Sequence, residues 1–466
     1  MDPKIEKKSR LILHENPIWK GLVILAFPVF LANILKTLHD IVDGIFLGQI
    51  ADETVATSMQ SAVGLTWPIF FIFISFGMGL SVAGDALVGQ YVGNKDFENA
   101  KKYATNTVYM SIIMGFLFTI ISLVLAPSIL KLMGATGSDL DYAILYLRIR
   151  SFELPILFLS FAYQSIRRAT GDTVSPVLIS TFAIVVNIIL TPTLILGFNM
   201  GIVGAALSTL IANVLMLPAL LYYLINAKSG IKVSFNVKHI SLPIIRDVLK
   251  IGIPASTGQS IQAVGFVVLN AAIYSLGNNI MTAFYIGNRI TSLVMFPVSS
   301  ITSIVAVYVA QNIGAGNIPR AKQSVKQGMW MGIVIMAIGI SFLMPFRYAF
   351  VSLFSHDAST IPFAADYMLY IGIGLPLMSV FQTFLSTFQG SGDTKFSLYL
   401  AVFRLWILRL PLVYLTMKFT DWGPAGIWYS MLASNVISAG FGAFLYMKVK
   451  FLPKIRLSNK LKVVTT

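Results

Sequence analysis

The second half of this 466-residue chain restates the first. Gln90, Gly93 and Ala100 recur as Gln311, Gly314 and Ala321, Pro155 as Pro376, and Gly171, Asp172 and Thr173 as Gly392, Asp393 and Thr394, each 221 positions on. Gly201, Gly204, Ser208 and Asn213 return as Gly423, Gly426, Ser430 and Asn435 at 222, and Pro28 as Pro254 at 226. One duplicated unit with small insertions fits all of these. Each half must then bury a core of its own, and the seam between two equivalent bundles is the natural place for a site.

That core forms in lipid. Apolar residues make up 56% of the chain and charged residues 11%, against about 25% charged in a soluble domain. Too little charge remains to cover a water-facing surface. Crossing the hydrocarbon takes about 20 apolar residues per helix. The first half has such stretches near 22–48, 55–83, 104–130, 143–166, 177–196 and 202–225; the second has them near 248–276, 281–309, 329–354, 367–388, 396–418 and 425–448. The expected fold is therefore all-α and polytopic, with twelve transmembrane helices in two pseudo-symmetric six-helix bundles. The bundles span 1–226 and 248–466, joined by a basic linker over 227–247 that carries Lys228, Lys232, Lys238 and Arg246.

The net charge of +15 follows topology. Basic residues crowd both termini, the linker and alternate loops, such as Lys95, Lys101 and Lys102 or Arg320, Lys322 and Lys326; the opposite loops hold Lys131, Arg347 and Lys418. Loops rich in Lys and Arg stay in the cytoplasm, which places both termini there and the protein in the plasma membrane. The basic balance answers anionic lipid headgroups, so membrane lipids are expected partners and nucleic acid is not. The first span is too long, and has no small-residue cleavage site, for a removable signal peptide. With no cysteine, disulfides, thiolate metal sites and cysteine nucleophiles are excluded. His14, His39, His239 and His356 lack metal-ligand spacing, and no phosphate-cradling loop is present, so an enzyme is not expected.

Ionisable groups inside spans are costly and mark function by default. The first span carries Lys36, His39, Asp40 and Asp43. Helical spacing gathers these on one broad face, expected to look into the bundle. Asp43 is the leading site residue; the competing reading pairs Lys36 with Asp40 internally and leaves Asp43 in water. Asn187 and Thr191, four apart, share a face of the fifth span, and Thr209 lies in the sixth. Pro28 and Pro254 each permit a bend. Five residues beyond each stands an amide, Asn33 and Gln259, expected on the central cleft or in helix packing. Asp85 and Glu153 sit near span ends, where a solvated or paired acid is the ordinary outcome. Asp172 and Asp393 read as helix caps. The aromatic run Trp67, Phe70, Phe71 and Phe73 reads as packing or lipid-facing. The second half has no glutamate and was expected to bury Arg289, Arg404 and Arg409.

Twelve spans in two halves, the run from Ile41 to Gly48 with Asp43 inside it, the Gln90 to Gly93 element, the Arg168 to Thr173 turn and the Gly201 to Thr209 segment together resemble the multidrug and toxic compound extrusion (MATE) family. The resemblance covers nearly the whole chain. It implies a V-shaped pair of bundles that opens alternately to either side and exports amphipathic, often cationic compounds as a monomer, with the second-half arginines leaving anionic or zwitterionic substrates open. Sodium or proton entry supplies the driving force, with no other cofactor. Asp43 matches the family's first-span acid. Asn187, Thr191 and Thr209 fall where one branch has the remaining ligands of a cation site, so the resemblance puts sodium at Asp43, Asn187, Thr191 and Thr209. That branch commonly has aspartate where this chain has Thr191. Asp40, one turn from Asp43, either restores part of the lost charge or shares a proton with it. The second-half acids of the NorM branch are missing. A flippase for lipid-linked oligosaccharide or another lipid-like anion is the alternative reading, since it shares the fold.

Overall fold

The computed structural model describes residues 9–49, 53–226, 230–236, 239–355, 357 and 359–456, and the side chains of all of these except 38–45, 47, 48, 53, 54, 56 and 57. The first half runs α1 (Ile18–Gly48), α2 (Glu53–Gly93), α3 (Phe97–Leu132), α4 (Gly137–Ser151), α5 (Leu154–Ala169), α6 (Val174–Pro192) and α7 (Gly201–Ile225). The second runs α8 (Leu242–Tyr274), α9 (Asn278–Gly314), α10 (Ile318–Leu343), the short α11 (Arg347–Ser352), α12 (Thr360–Ser391), α13 (Thr394–Val402), α14 (Leu410–Phe419) and α15 (Pro424–Lys448). Two π-helical segments, Thr193–Gly197 and Phe403–Arg409, extend α6 and join α13 to α14.

Among the described residues, ten of these helices or continuous runs are long and apolar enough to cross a membrane. Two more charged crossings complete the twelve. The fourth is broken at Phe152 and Glu153 between α4 and α5, and α8 carries Arg246, Asp247 and Lys250 in its opening turns. The break is held by ion pairing. Glu153, fully buried, takes Arg150 at 2.7 Å and also accepts from Asn213 at 2.9 Å. The twelve-helix, two-lobe fold is therefore as the hydropathy pattern predicts.

The two lobes exchange the beginnings of their first helices. Ile12, Ile18, Leu22, Leu25 and Ala26 are buried in one core with Ile304, Tyr308, Phe381 and Phe388 of the second half. Reciprocally, Ile244, Val248 and Ile251 of α8 belong to the core of the first half, with Leu87, Tyr91 and Ala104. Arg320 fixes the first exchange by donating to the carbonyl of Ile12 at 2.9 Å and to Asn16 Oδ1 at 3.0 Å. Asp247 fixes the second by accepting from the Tyr103 hydroxyl at 2.7 Å.

The long helices α2 and α9 close the seam by the same pseudo-symmetry. A Cβ on Gly93 would overlap the carbonyl oxygen of Gln311, and a Cβ on Gly314 would overlap that of Gln90. Only glycine lets the backbones approach so closely. The glutamine side chains then reach across: Gln311 Nε2 donates to the Ala169 carbonyl at 2.7 Å, and Gln90 Nε2 to the Ser391 carbonyl at 3.3 Å. Deeper along the helices, the lobes meet through Asn33 with Ser300 and Ser75 with Ser260. Among the described residues, every hydrogen bond between lobes lies at this depth or nearer the basic-loop end. No hydrogen bond between described residues joins the lobes at the opposite end of the seam.

Replacing Gly93 or Gly314 by alanine inserts a methyl group against backbone that has no side chain to move aside. Each is expected to lower stability by about 1–3 kcal/mol, read as a fall in melting temperature in detergent. Gly440→Ala meets nothing within 4 Å and is expected to hold or raise stability by up to about 1 kcal/mol, the helical gain over glycine. Equal effects at the three positions would refute the tight joint.

Candidate functional site

α6 and α7 are neighbours, connected through the π-helical Thr193–Gly197 and a short turn. Pro192 supplies no N–H to the backbone ladder, and the helix widens where that bond is missing. One turn before this irregularity, four oxygen-bearing side chains converge. Thr191 Oγ1 donates to Asn187 Oδ1 at 3.2 Å or to Ser208 Oγ at 3.0 Å; Asn187 Nδ2 donates to Thr209 Oγ1 at 3.1 Å and lies 3.4 Å from Ser208 Oγ. Asn187 is 1% exposed, Thr191 and Ser208 fully buried, and Thr209 8% exposed. Ser208 and Thr209 also bond back to the Ala205 carbonyl.

The structure thus brings together Asn187, Thr191 and Thr209 and adds Ser208, which sequence reasoning used as a marker of the duplication without seeing its place here. Its signal was available: Ser208 stands next to Thr209 and four residues after Gly204, on a helix packed against α6. Oxygen donors of this kind suit a hard monovalent cation or a water network, and they offer no soft ligand. Among the described residues there is no group of three or more His, Asp or Glu able to hold a metal ion. α1 packs on both α6 and α7, and its backbone is helical through positions 40 and 43. The side chains of Asp40, Asp43 and His39 lie outside the described residues. Lys36 is exposed rather than buried within the bundle.

Three other first-half acids that the sequence singles out, Asp85, Glu153 and Asp172, are committed elsewhere. Asp85 pairs with Arg168 at 2.8 Å, and Glu153 with Arg150. Asp172 accepts from Ser175 Oγ at 2.8 Å and its backbone N–H at 3.3 Å, with Arg167 at 3.7 Å, so it serves the start of α6. Its repeat partner Asp393 differs. It makes no side-chain bond to the helix it precedes and pairs instead with Lys454, because the chain's tail runs past it. Asn33 is half-buried and donates to Ser300 Oγ at 3.1 Å; Gln259 is half-buried beside Ser260, at the same depth. Trp67 is largely exposed, Phe73 is buried, and Phe70 lies beneath the Arg150 guanidinium.

The second half inverts the charge of this arrangement. By the 222-residue shift, Arg409 stands where Asn187 stands. Its guanidinium donates to Ser434 Oγ at 2.9 Å and Asn435 Oδ1 at 2.7 Å. Asn435 repeats Asn213, whose partner in the first half is the buried Glu153; at the repeat of Glu153 the second half has Gly374. Arg404 and Arg409 are buried as expected. Arg289 is not: it lies on an exposed side of α9, since its turn of that helix offers the core Ile286 and Ile290 instead.

The MatE family model matches the chain twice, over residues 28–193 and 254–415, once in each half. The Probable multidrug resistance protein YoeA of Bacillus subtilis is 26% identical over 454 residues, covering 95% of this chain and 96% of that protein. Multidrug export protein MepA of Staphylococcus haemolyticus is 25% identical over 439 residues, covering 94% and 95%. Among solved structures, a multidrug resistance MATE family transporter of the MOP superfamily in its outward-facing conformation superposes with a TM-score of 0.88 over 95% of this chain and 97% of that one, at 24% identity. A MATE structure in the bent conformation gives 0.87 over 96% and 97%, at 25% identity. The duplicated twelve-helix chain, with its two lobes meeting at one end of a shared seam, belongs to the MatE family of multidrug efflux transporters.

Proposed function

We propose that this protein exports amphipathic, cationic compounds across the plasma membrane by antiport with sodium, which binds in the first lobe between α1, α6 and α7. The observation that carries the reading is the convergence of Asn187, Thr191, Ser208 and Thr209 into one buried oxygen cluster beside the helix that carries Asp40 and Asp43. A proton needs only a carboxylate. Several converging oxygens favour a desolvated cation, with Asp43 as its negative ligand and Asp40 adding to the local charge. The names of the curated relatives favour drug efflux over the lipid-linked oligosaccharide alternative.

With the basic loops in the cytoplasm, the end of the seam without hydrogen bonds between the lobes faces outward. Asn33 and Gln259 then lie at its floor, where a substrate's polar groups reach them. Coupling runs through α1, whose beginning is anchored in the second lobe and whose later turns pack on α6 and α7, with Pro28 between. Sodium and substrate need only prefer opposite states of the V; differential binding, without direct contact, then links them.

Proteoliposomes loaded with a fluorescent cationic dye test this. Efflux is expected to follow a sodium gradient and to fall at least tenfold in Asp43→Asn. Thr191→Val, which removes one neutral ligand, is expected to weaken the sodium dependence by about tenfold, the worth of one hydrogen-bond-strength contact. Sodium-driven efflux that survives Asp43→Asn would overturn the coupling role, and efflux driven by protons alone would overturn the choice of ion.

A further inference from the structure

We infer that the second lobe holds a small inorganic anion of the halide class at Arg404. This side chain is 7% exposed, and its Nε has no hydrogen-bond partner. The ring of Phe381 lies 4.5 Å from its guanidinium carbon. Arg409, in the same π-helical segment, is instead bonded through Nε to Ser434 and through Nη2 to Asn435 and the Met431 carbonyl.

Among the described residues, no second-half acid pairs with Arg404. The second half's carboxylates from α8 onward are Asp247, Asp357, Asp366, Asp393 and Asp421. Asp247 pairs with Arg456, and Asp393 with Lys454. Asp357 accepts from Ser359 and Thr360, while Asp366 and Asp421 are exposed. A buried, uncompensated guanidinium is strongly unfavourable, and a ring face offsets only part of that cost.

A second polar group lies unmatched at the same depth. Ser438 is fully buried and its hydroxyl has no partner. The Arg409 to Ser434 bond sets the register between the two antiparallel helices. Counting back five residues to Arg404 and on four to Ser438 moves about 6–8 Å in the same direction on each, at 1.5 Å per residue. A guanidinium and a hydroxyl, both donors, thus stand at one level of neighbouring helices, which is the chemistry of an anion site. Leu400, Ala401 and Leu405 around Arg404 are buried, so a bulky anion does not fit there.

The test is binding by the purified full-length protein, so its result is independent of sodium coupling. Thermal unfolding is followed at constant sodium and ionic strength while gluconate is replaced by chloride or bromide. The melting temperature should rise and saturate, the folded state gaining about elevenfold in equilibrium constant at ten times the Kd. The increment should persist in Arg289→Gln and vanish in Arg404→Gln. Indifference of the unsubstituted protein to the anion, or an increment kept in Arg404→Gln, overturns the inference. Should Arg404→Gln fail to fold, bromide anomalous scattering from crystals of the unsubstituted protein decides: density beside Arg404 upholds the site, and none there removes it.

Discussion

The reciprocal exchange of helix beginnings is the constraint on which the rest of this molecule depends. α1 starts in the core of the second lobe and α8 in the core of the first. Neither lobe can be completed without the other. In lipid, where apolar burial gives helices no preference for one another over acyl chains, association must come from close packing and polar contacts. The seam supplies both: glycine backbones against carbonyls at Gly93 and Gly314, and two glutamines reaching across it in matching fashion. This joint holds the two lobes together.

Gene duplication made two equivalent interiors, and substitution has since given them opposite electrical characters. Around α6 and α7 the polar groups are oxygens, and the buried acid Glu153 stands near. At the matching places the second lobe has Arg409 for Asn187 and Gly374 for Glu153. A shared asparagine accommodates both, because an amide donates and accepts equally well: Asn213 donates to a carboxylate and Asn435 accepts from a guanidinium. The two lobes thus differ in buried charge, although their folds match.

Much of the architecture was legible in the sequence because hydropathy and repetition are coarse signals that tertiary detail does not erase. All twelve crossings lie where the apolar runs do. The exchange of α1 and α8 between cores was not legible, since an apolar run records how far a helix extends and not which bundle receives it. At the candidate site, Asn187 and Thr191 were readable from a spacing of four, and Thr209 from the family's order of residues. Ser208 offered only its adjacency to Thr209, a weak signal because a serine within an apolar helix ordinarily satisfies itself on its own backbone, as this one also does at Ala205. Asp172 and Asp393 look alike in sequence and part ways only because Lys454 arrives from a distant segment. Arg289 seemed central by position along its helix, yet rotation about the axis, which position alone does not fix, turned it outward.

The stretch after α15 does more than trail from the last helix. Its Lys454 N–H donates to Gln90 Oε1, the Arg456 N–H to the Tyr91 hydroxyl, and the Arg456 guanidinium to Asp247. These three bonds bind it to α2 of one lobe and α8 of the other. A few residues beyond the last crossing therefore cross-link the two halves, close to where their backbones meet through Gly93 and Gly314.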